Sequence, residues 1–295
     1  MNNDTHIFSV IIPHHEIPAL LQRCLDSIPD VPEVQVIVVD DNSSEQKVDF
    51  ERFPGLDRKY TRCIFDKEGG GAGHARNIGL KHADGKWLVF ADCDDFFTKE
   101  AFQILEGHKD APYDIILFKA DSVDSDDYSP SDRHLQFNEA IDKAGAGSIT
   151  AKEPMLLMPV PWCKMVRRNY IQRKGIMFDE TIAANDVMFA TKAACWADDN
   201  AVTTSPEVLY VVTTRRNSLF DSYRSNPENY LCRLEVMMRR NKFFDNYPYP
   251  KRPIIVQVMR SLRFGPKTFC KAVALGIKHK ALFSGTSTIF KKLFH

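Results

Sequence analysis

Three clusters of polar side chains each follow a short apolar run typical of a β-strand. The runs are Phe8–Ile12, Val34–Val39 and Trp87–Ala91. One such cluster alone is typical of a turn or a helix cap. Because ligands of open α/β sheets bind at the carboxyl ends of the strands, three of them predict a ligand site. The side chains that we expect there are Pro13, His14 and Glu16 in the first cluster, Asp40, Asp41, Asn42 and Ser43 in the second, and Asp92, Asp94 and Asp95 in the third.

The third cluster, Asp92-Cys93-Asp94-Asp95, predicts a metal site. Several carboxylates at one strand end repel each other unless a cation or protons neutralise them. Hard divalent cations prefer carboxylate oxygens and take substrate phosphates as further ligands. We therefore expect Mn²⁺ or Mg²⁺ on Asp94 and Asp92, bridging to a diphosphate. The alternative is a capping cluster before a helix that begins near Thr98.

A glycine-rich segment, Glu68 to Asn77, leads into a predicted helix. Glycines allow a ligand to approach the backbone closely, and a helix N-terminus favours anions. The segment has neither a Walker A sequence nor the GxGxxG spacing, so a flexible loop is the alternative. Arg76, in the first turn of the predicted helix, is the more informative residue because a guanidinium matches the geometry of a phosphate.

The remaining pattern indicates repeated β-α-β units. We predict a strand at Tyr60–Phe65, a helix near Ala75–His82 and a strand at Ile115–Phe118. This order predicts an α/β fold, with a Rossmann-like, mostly parallel sheet flanked by helices. A Ser- and Asp-rich surface loop is expected at 121–132, and a flexible stretch at 144–147. Beyond Thr150 we predict a helix at 186–196, a strand at 208–212 and a helix at 227–244.

Taken in order, the motifs resemble those of family 2 glycosyltransferases, which have the GT-A fold. The resemblance covers roughly residues 7–220, and its spacing and order are more specific than any single motif. The segments that carry it are Ser9–Pro13, Val38–Ser43, Gly73–Leu80, Phe90–Phe96, Trp162–Arg168, Gly175–Glu180 and Arg215–Leu219.

The resemblance implies a role for each residue of the donor site. Pro13 and Asp41 would line the base pocket, with Asp41 accepting a hydrogen bond from a uracil-like N3. Arg76 would approach the base or the diphosphate. Asp92 would face the ribose, and Asp94 would hold the metal on the two donor phosphates.

Enzymes of this family generally invert the anomeric carbon, which needs a general base for the acceptor hydroxyl. The family usually has Glu-Asp at the start of a later helix, whereas this chain has Asn185-Asp186. By resemblance, Asp186 is the base, and Asn185 orients it or the acceptor. A helix cap is the structural alternative for Asp186, and one residue can do both. Arg215 or Arg216 would contact the diphosphate, the alternative being a solvated pair.

Composition places the chain among ordinary globular proteins. Of the 295 residues, 44% are hydrophobic and 26% are charged, which argues against a disordered or fibrous chain. Seven cysteines without a CxxC pair fit a reducing cytoplasm. No basic segment precedes the first apolar run, and no run approaches bilayer length, so we expect neither a signal peptide nor a membrane span.

The net charge of zero conceals an asymmetry. Residues 251–295 contain ten Lys and Arg and no Asp or Glu, whereas the first 250 contain 29 basic and 39 acidic residues. Such a basic helical tail, ending in Ile289–Phe294, is expected to lie on an anionic membrane surface. The alternatives are nucleic-acid binding, which no motif supports, and a helical subdomain with solvated lysines.

The sequence therefore predicts an inverting, metal-dependent glycosyltransferase. It would move one sugar from a nucleotide sugar, a UDP-sugar above all, to a glycan or lipid-linked acceptor of capsule, O-antigen or lipopolysaccharide. We expect a GT-A domain over 1–220, with a nucleotide half at about 1–120 and an acceptor half at about 150–220, then a basic helical region over 221–295. The alternatives are a catalytically inactive homologue that binds nucleotide sugar, or a sugar nucleotidyltransferase.

Overall fold

The structure, a computed structural model, describes residues 6–215 and 225–286. The described residues form two compact units. The first unit contains residues 6–180 and 189–215. The second contains residues 181–188 and 225–286. The second unit thus combines a short internal segment with the C-terminal helices.

One mixed sheet organises the first unit. Its strands are β1 (Phe8–His14), β2 (Val34–Asp41), β3 (Thr61–Asp66), β4 (Trp87–Phe90), β5 (Phe96–Phe97), β6 (Ile115–Asp124), β7 (Lys164–Arg167) and β8 (Val202–Thr214). The α-helices that accompany the strands are α1 (Pro18–Asp26), α2 (Gly71–His82), α3 (Ala101–Gly107), α4 (Leu135–Gly145), α5 (Glu153–Leu157), α6 (Arg168–Lys174) and α7 (Val187–Trp196), of which α7 belongs to this unit from Phe189 onward.

The strand order is β3-β2-β1-β4-β7-β6-β8-β5. The first four strands are mutually parallel, β7 is antiparallel to both β4 and β6, and β6 is parallel to β8. In register, Pro13 lies beside Val39 and His14 beside Asp40. The carboxyl ends of β1, β2 and β4 therefore meet at one edge of the sheet, as the β-α-β pattern predicts.

Burial explains why these segments are strands. Every residue of β1 is buried, and the β-branched run of β2 is buried except near its ends. Strands covered on both faces need such continuous apolar runs. On α2, a Cβ at Gly79 would collide with Ile11 of β1, so the glycine allows the helix to pack closely on the strand.

Several sequence predictions are corrected by the structure. β6 continues to Asp124, so the loop expected at 121–132 begins later, because this half of β6 pairs with β8. The flexible stretch expected at 144–147 partly belongs to α4, whose Phe137, Ala140 and Ile141 are buried. Strand β7 was not predicted, since its four residues carry no clear periodicity of their own.

The second unit is helical in its C-terminal part. It contains α8 (Pro227–Phe243), α9 (Ile254–Arg260), a 3₁₀ turn at Ser261–Phe264 and α10 (Pro266–Lys278). These helices share a small core of their own, formed by Leu234, Met238, Ile254, Val258, Ala272 and Ala281. Among the described residues, no helix combines the length and the hydrophobicity needed to span a bilayer.

Candidate active site

The loop after β1 is fixed to the end of β2 by a buried hydrogen-bond network. His14 Nδ1 lies 2.7 Å from Asp40 Oδ2, and Ser43 Oγ donates to the same oxygen at 2.6 Å. His14 Nε2 accepts from the Ile17 amide at 3.2 Å. Since Nε2 is an acceptor, the ring proton is assigned to Nδ1, which donates to Asp40.

Asp40 therefore differs in role from what the sequence led us to expect. Its side chain is fully buried and its oxygens are engaged from within the protein. Burial raises the pKa of this carboxyl, but the hydrogen bonds from His14 and Ser43 outweigh it and hold the pKa below its usual value. We place Asp40 among the positioning residues instead of the substrate contacts.

The same network holds the other two residues of the first cluster. Ser43 Oγ accepts the backbone amide of Glu16 at 2.8 Å. Glu16 has a φ of 57°, a left-handed conformation that is uncommon for a residue with a side chain. Pro13 is buried within β1 beside Val39. The loop that carries Glu16 is thus held in one conformation at the edge of the sheet.

Asp41 connects β2 to the glycine-rich segment. Its carboxylate oxygens lie 2.9 and 3.1 Å from the amide nitrogen of Gly71, the first residue of α2. A carboxylate there satisfies an unpaired helix amide and interacts favourably with the helix dipole. Asp41 therefore fixes the start of the helix that carries Arg76.

Arg76 lies against the third cluster. Its Nη2 donates to Asp92 Oδ1 at 2.5 Å, and its guanidinium lies 5.3 Å from the ring centroid of Phe178. The Arg76 side chain is 6% exposed, whereas that of Asp92 is 31% exposed. The Asp92 amide in turn donates to the hydroxyl of Tyr210 at 2.9 Å. The structure thus brings together the arginine and the aspartate that the sequence placed in one site.

Asp94 is held by both its backbone and its side chain. Its carbonyl oxygen accepts from Arg23 Nη2 at 2.6 Å and from Thr213 Oγ1 at 2.7 Å. Its carboxylate Oδ2 accepts from Arg215 Nε at 2.9 Å. Arg23 and Thr213 were not predicted, because they lie far from Asp94 in sequence. Arg216 and the rest of the motif through Leu219 lie outside the described residues.

The negative charges of the three carboxyl groups in this cluster are reduced in two ways. Asp92 and Asp94 each pair with an arginine. Asp95 is buried and accepts the Thr213 amide at 2.7 Å. Its burial, followed by the charges of Asp94 and Asp92, raises its pKa well above the usual value. The same burial and charges raise the pKa of Tyr210. Arginines therefore offset the charges of Asp92 and Asp94, whereas burial favours the neutral form of Asp95.

The residues of this cluster fit a divalent cation. The Asp92 and Asp94 side chains are 31% and 23% exposed, and they present the hard oxygen atoms that Mg²⁺ and Mn²⁺ prefer. A cation held there would compete with Arg76 and Arg215 for these two carboxylates. A second group, Asp66, Glu68 and His74, has ligand atoms within 4.8 Å of one another. Sequence spacing did not predict this group.

Asn77 is a positioning residue that sequence reasoning did not single out. Its amide nitrogen donates to the Phe178 carbonyl and to Glu180 Oε1, each at 3.0 Å. Its amide oxygen accepts the Phe178 amide at 2.9 Å. Phe178 stacks on Phe189, with ring centroids 3.9 Å apart. These hydrogen bonds join two motifs of the resemblance that lie about a hundred residues apart. The sequence pattern of neither motif indicates the contact.

Asn185 and Asp186 belong to the second unit and directly precede α7. Both are half-buried. Ala184, just before them, has a φ of 56° and packs with Met188 against Val236 of α8. The backbone that presents Asp186 is therefore supported by the C-terminal helices, which the sequence-based division at residue 220 did not anticipate.

Comparison with known protein families assigns this chain to one of them. Residues 9–173, more than half of the chain, match the family described as "Glycosyl transferase family 2". The chain belongs to this family, as its motifs implied. Membership supports the predicted class of enzyme, a glycosyltransferase, over the nucleotidyltransferase alternative.

Curated relatives agree with this family. The chain is 28% identical over 231 residues to the poly(ribitol-phosphate) beta-N-acetylglucosaminyltransferase TarS of Staphylococcus aureus (strain MW2), which covers 76% of this chain and 38% of the relative. It is 27% identical over 222 residues to the uncharacterized glycosyltransferase EpsJ of Bacillus subtilis (strain 168), covering 72% and 62%. The chain thus spans less than two thirds of the length of these relatives.

Solved structures confirm the GT-A fold. The crystal structure of S. aureus TarS 1-349 in complex with UDP-GlcNAc matches with a TM-score of 0.62 at 20% identity, covering 92% of this chain and 88% of the other. A mannosyltransferase from Pyrobaculum calidifontis, in complex with GDP-Man and Mn²⁺, matches with a TM-score of 0.57 at 17% identity. This match covers 97% of this chain and 79% of the other.

Proposed function

We propose that the chain transfers a single hexosyl or N-acetylhexosaminyl group from a UDP-sugar to an acceptor hydroxyl, with inversion at the anomeric carbon. The observation that carries this proposal is the array formed in the first unit by Asp41 at the end of β2, Arg76 on α2, and Asp92 and Asp94 after β4. A relative that is named as an N-acetylglucosaminyltransferase, and whose structure is solved with UDP-GlcNAc, supports a UDP-sugar donor.

The donor would be bound by side chains whose positions are already determined by contacts within the protein. Asp41, fixed to the start of α2, would accept the N3 proton of uracil, and Pro13 and Glu16 would border the base. Arg76 and Arg215, each beside a carboxylate, would turn toward the diphosphate. Asp92 would contact the ribose.

Asp92 and Asp94 would hold Mn²⁺ or Mg²⁺. A divalent cation bound there supplies Lewis-acid stabilisation of the negative charge on the departing nucleoside diphosphate. The Arg23 and Thr213 contacts to the Asp94 carbonyl keep its backbone fixed, so that its carboxylate stays at the strand end.

Asp186 would act as the general base. The acceptor oxygen attacks the anomeric carbon while the bond from that carbon to the phosphate oxygen breaks, and the acceptor proton passes to Asp186. Asn185 would orient the acceptor or the base. Nucleoside diphosphate leaves from the opposite face of the sugar, which inverts the configuration.

The acceptor would be a glycan or lipid-linked glycan of a cell-surface polymer, such as capsule, O-antigen or lipopolysaccharide. Relatives named for poly(ribitol-phosphate) glycosylation, from S. aureus and Bacillus spizizenii, support a surface polymer as acceptor. The enzyme would work in the cytoplasm, peripherally on the inner face of the plasma membrane, through its basic C-terminal region.

Titration calorimetry with UDP, GDP, CDP and NAD, each with and without Mn²⁺, tests this proposal. We expect UDP to bind best, with a Mn²⁺-dependent gain that Asp94→Ala abolishes. The matched control is Asp84→Ala, an exposed aspartate of the same unit. Binding of NAD alone would overturn the proposal. Binding of UDP with no transfer from UDP-sugars to any acceptor would identify an inactive homologue.

A further inference from the structure

Helix α10 has two faces of different character. Thr268, Ala272 and Gly276 are buried, and Phe269 and Val273 pack against the core of the second unit. The opposite side of the helix is exposed, and we call it the outward face of α10. It consists of Lys267, Cys270, Lys271, Ala274, Ile277 and Lys278.

The spacing of these six positions places them on one side. At 3.6 residues per turn, they occupy an arc of about 120° along the helix. The core of the unit is therefore complete without them. The helix packs on the rest of the second unit through its buried side, so the outward face is available to a partner.

The outward face and its neighbours combine exposed apolar side chains with cations. Among the described large apolar residues, Phe283 and Ile277 are the two most exposed, at 70% and 65%. Met259, near the end of α9, and Leu262, in the 3₁₀ turn before α10, are 52% and 47% exposed. Single exposed apolar residues are ordinary, but four within 25 residues indicate contact with an apolar phase.

Basic residues outnumber acidic residues around these side chains. No Asp or Glu follows Asp245 in the sequence. The acidic residue of α8 near α10, Glu235, is engaged by Lys278 at 3.2 Å and by His279 at 2.7 Å. Lys267 and Lys271 are exposed on the outward face, with Arg260 exposed just before it.

We propose that the outward face of α10, together with Phe283, binds the surface of an anionic lipid bilayer. The lysines interact with lipid headgroups while Ile277 and Phe283 enter the boundary between headgroups and acyl chains. This inference rests on the membrane association proposed above and names the surface and the lipid charge responsible. It requires only the described helices, and not the closing segment Ile289–Phe294, which lies outside the described residues.

A soluble polyanion, such as a nucleic acid or a phosphate polymer, would use the lysines but not the apolar side chains. Such partners bind through charge alone and have no use for an exposed isoleucine and phenylalanine. A bilayer surface would bind both the lysines and the apolar side chains. Variants that remove one kind of side chain at a time therefore distinguish a lipid surface from other anionic partners.

Sedimentation of the full chain with vesicles tests the proposal. The vesicles contain phosphatidylcholine alone or with about one third phosphatidylglycerol, and no nucleotide or acceptor is added. Near an anionic surface each lysine is worth about fivefold in affinity, so Lys267→Gln with Lys271→Gln should weaken binding about 25-fold. The matched control is Lys143→Gln with Lys174→Gln, which removes two exposed cations from the first unit and should leave binding unchanged.

A second pair of variants tests the apolar contribution. Ile277→Ser with Phe283→Ser should weaken binding to the anionic vesicles about tenfold or more. Soluble polyphosphate should bind this pair as it binds the unmodified chain. Equal binding to neutral and anionic vesicles would overturn the proposal, as would an unchanged vesicle affinity in either pair. Since these assays need no donor, failed UDP binding with intact vesicle binding would reject the proposed reaction alone.

Discussion

The side-chain amide of Asn77 pairs with both backbone polar groups of Phe178, as a neighbouring strand would. The amide nitrogen lies 3.0 Å from the Phe178 carbonyl oxygen, and the amide oxygen lies 2.9 Å from the Phe178 nitrogen. Because Arg76 is the preceding residue and stacks near the Phe178 ring, this clamp determines where the guanidinium lies. Arg76 and the segment around Phe178 are therefore tied to one another.

Replacing Asn77 should affect both stability and donor binding. Asn77→Ala leaves two buried backbone groups of Phe178 without their partner, which should lower the free energy of unfolding by about 1–3 kcal/mol. It should also weaken UDP binding by about tenfold, because Arg76 loses its support. Urea unfolding and UDP calorimetry measure the two effects.

Asn138 supplies a matched control for this prediction. It clamps Ala120 in the same manner, with distances of 2.8 and 3.0 Å, on α4 of the same unit. Asn138→Ala should therefore cost about as much stability while sparing UDP binding. If both variants weaken UDP binding equally, the loss comes from general destabilisation and the positioning role of Asn77 is wrong.

Asp186→Asn should reduce transfer with little change in donor binding. A general base contributes about 10²- to 10⁴-fold to the rate, so kcat should fall by at least about 100-fold while the Kd for UDP stays within twofold. Initial rates with a UDP-sugar and calorimetry with UDP check this. Asp84→Asn, at an exposed position, should behave like the unmodified chain. Transfer at an undiminished rate in Asp186→Asn would contradict the base assignment.

The left-handed backbone at Ala184 should matter for catalysis. Glycine adopts this conformation without strain, so Ala184→Gly should keep transfer activity. A β-branched residue is strongly disfavoured at positive φ, and Ala184 also packs against Val236. Ala184→Val should therefore lower kcat several-fold without changing UDP affinity.

Ala274→Val, on the exposed and right-handed α10, is the control for the Ala184 variants. It adds the same two methyl groups where neither strain nor crowding is expected. Stability by thermal melting accompanies the rate measurements. An Ala184→Val protein that is as active as Ala184→Gly would show that this backbone conformation does not position Asp186.

Asp40 should make the protein sensitive to acid. Its pKa is lowered from the unfolded value of 3.8, so its ionised form stabilises the folded state above that pH, and this stability is lost as pH falls through the lower folded value. Asp40→Asn removes this dependence. In urea unfolding between pH 6 and pH 3, the stability lost on acidification should be smaller for Asp40→Asn.

Asp26→Asn, at an exposed position on α1, is the comparison for Asp40→Asn. It changes the same group outside the His14 network. Its acid dependence should match that of the unmodified chain. The same fall of stability with acid in the Asp40 and Asp26 variants would mean that the buried network has no share in the acid sensitivity.

The sequence alone determined the family, the mixed α/β class and the neighbourhood of the residues that we propose for the donor site. These properties follow from local pattern. Continuous apolar runs specify covered strands, as in β1 and β2, and parallel strands place their carboxyl ends at one edge. Asp41, Asp92 and Asp94 could be proposed together because each follows such a run, and Arg76 because it belongs to the helix after the glycine-rich segment. That helix begins at Gly71, so Arg76 lies in its second turn and not in the first turn that the sequence predicted.

Only the tertiary structure decided which polar residue does what. Asp40 and Asp41 are adjacent in sequence, yet their side chains have different partners. The buried side chain of Asp40 accepts a hydrogen bond from His14, whereas that of Asp41 accepts the first amide of α2. Alternation along a strand sends neighbouring side chains to opposite faces, and the surroundings of each face come from distant segments. Arg23, Thr213 and Asn77 were missed for this reason, since their contacts span 71 to 119 positions.

The packing of the segment that carries Asp186, which we assign as the base, is also determined by the tertiary structure. The segment 181–188 lies within the acceptor half expected from the sequence, but it packs with α8 because Ala184 and Met188 contact Val236 there. Periodicity identifies an apolar face without naming its partner, which depends on how the whole chain closes. The C-terminal helices, which composition presented only as a basic tail, therefore also hold the residue that we assign as the base.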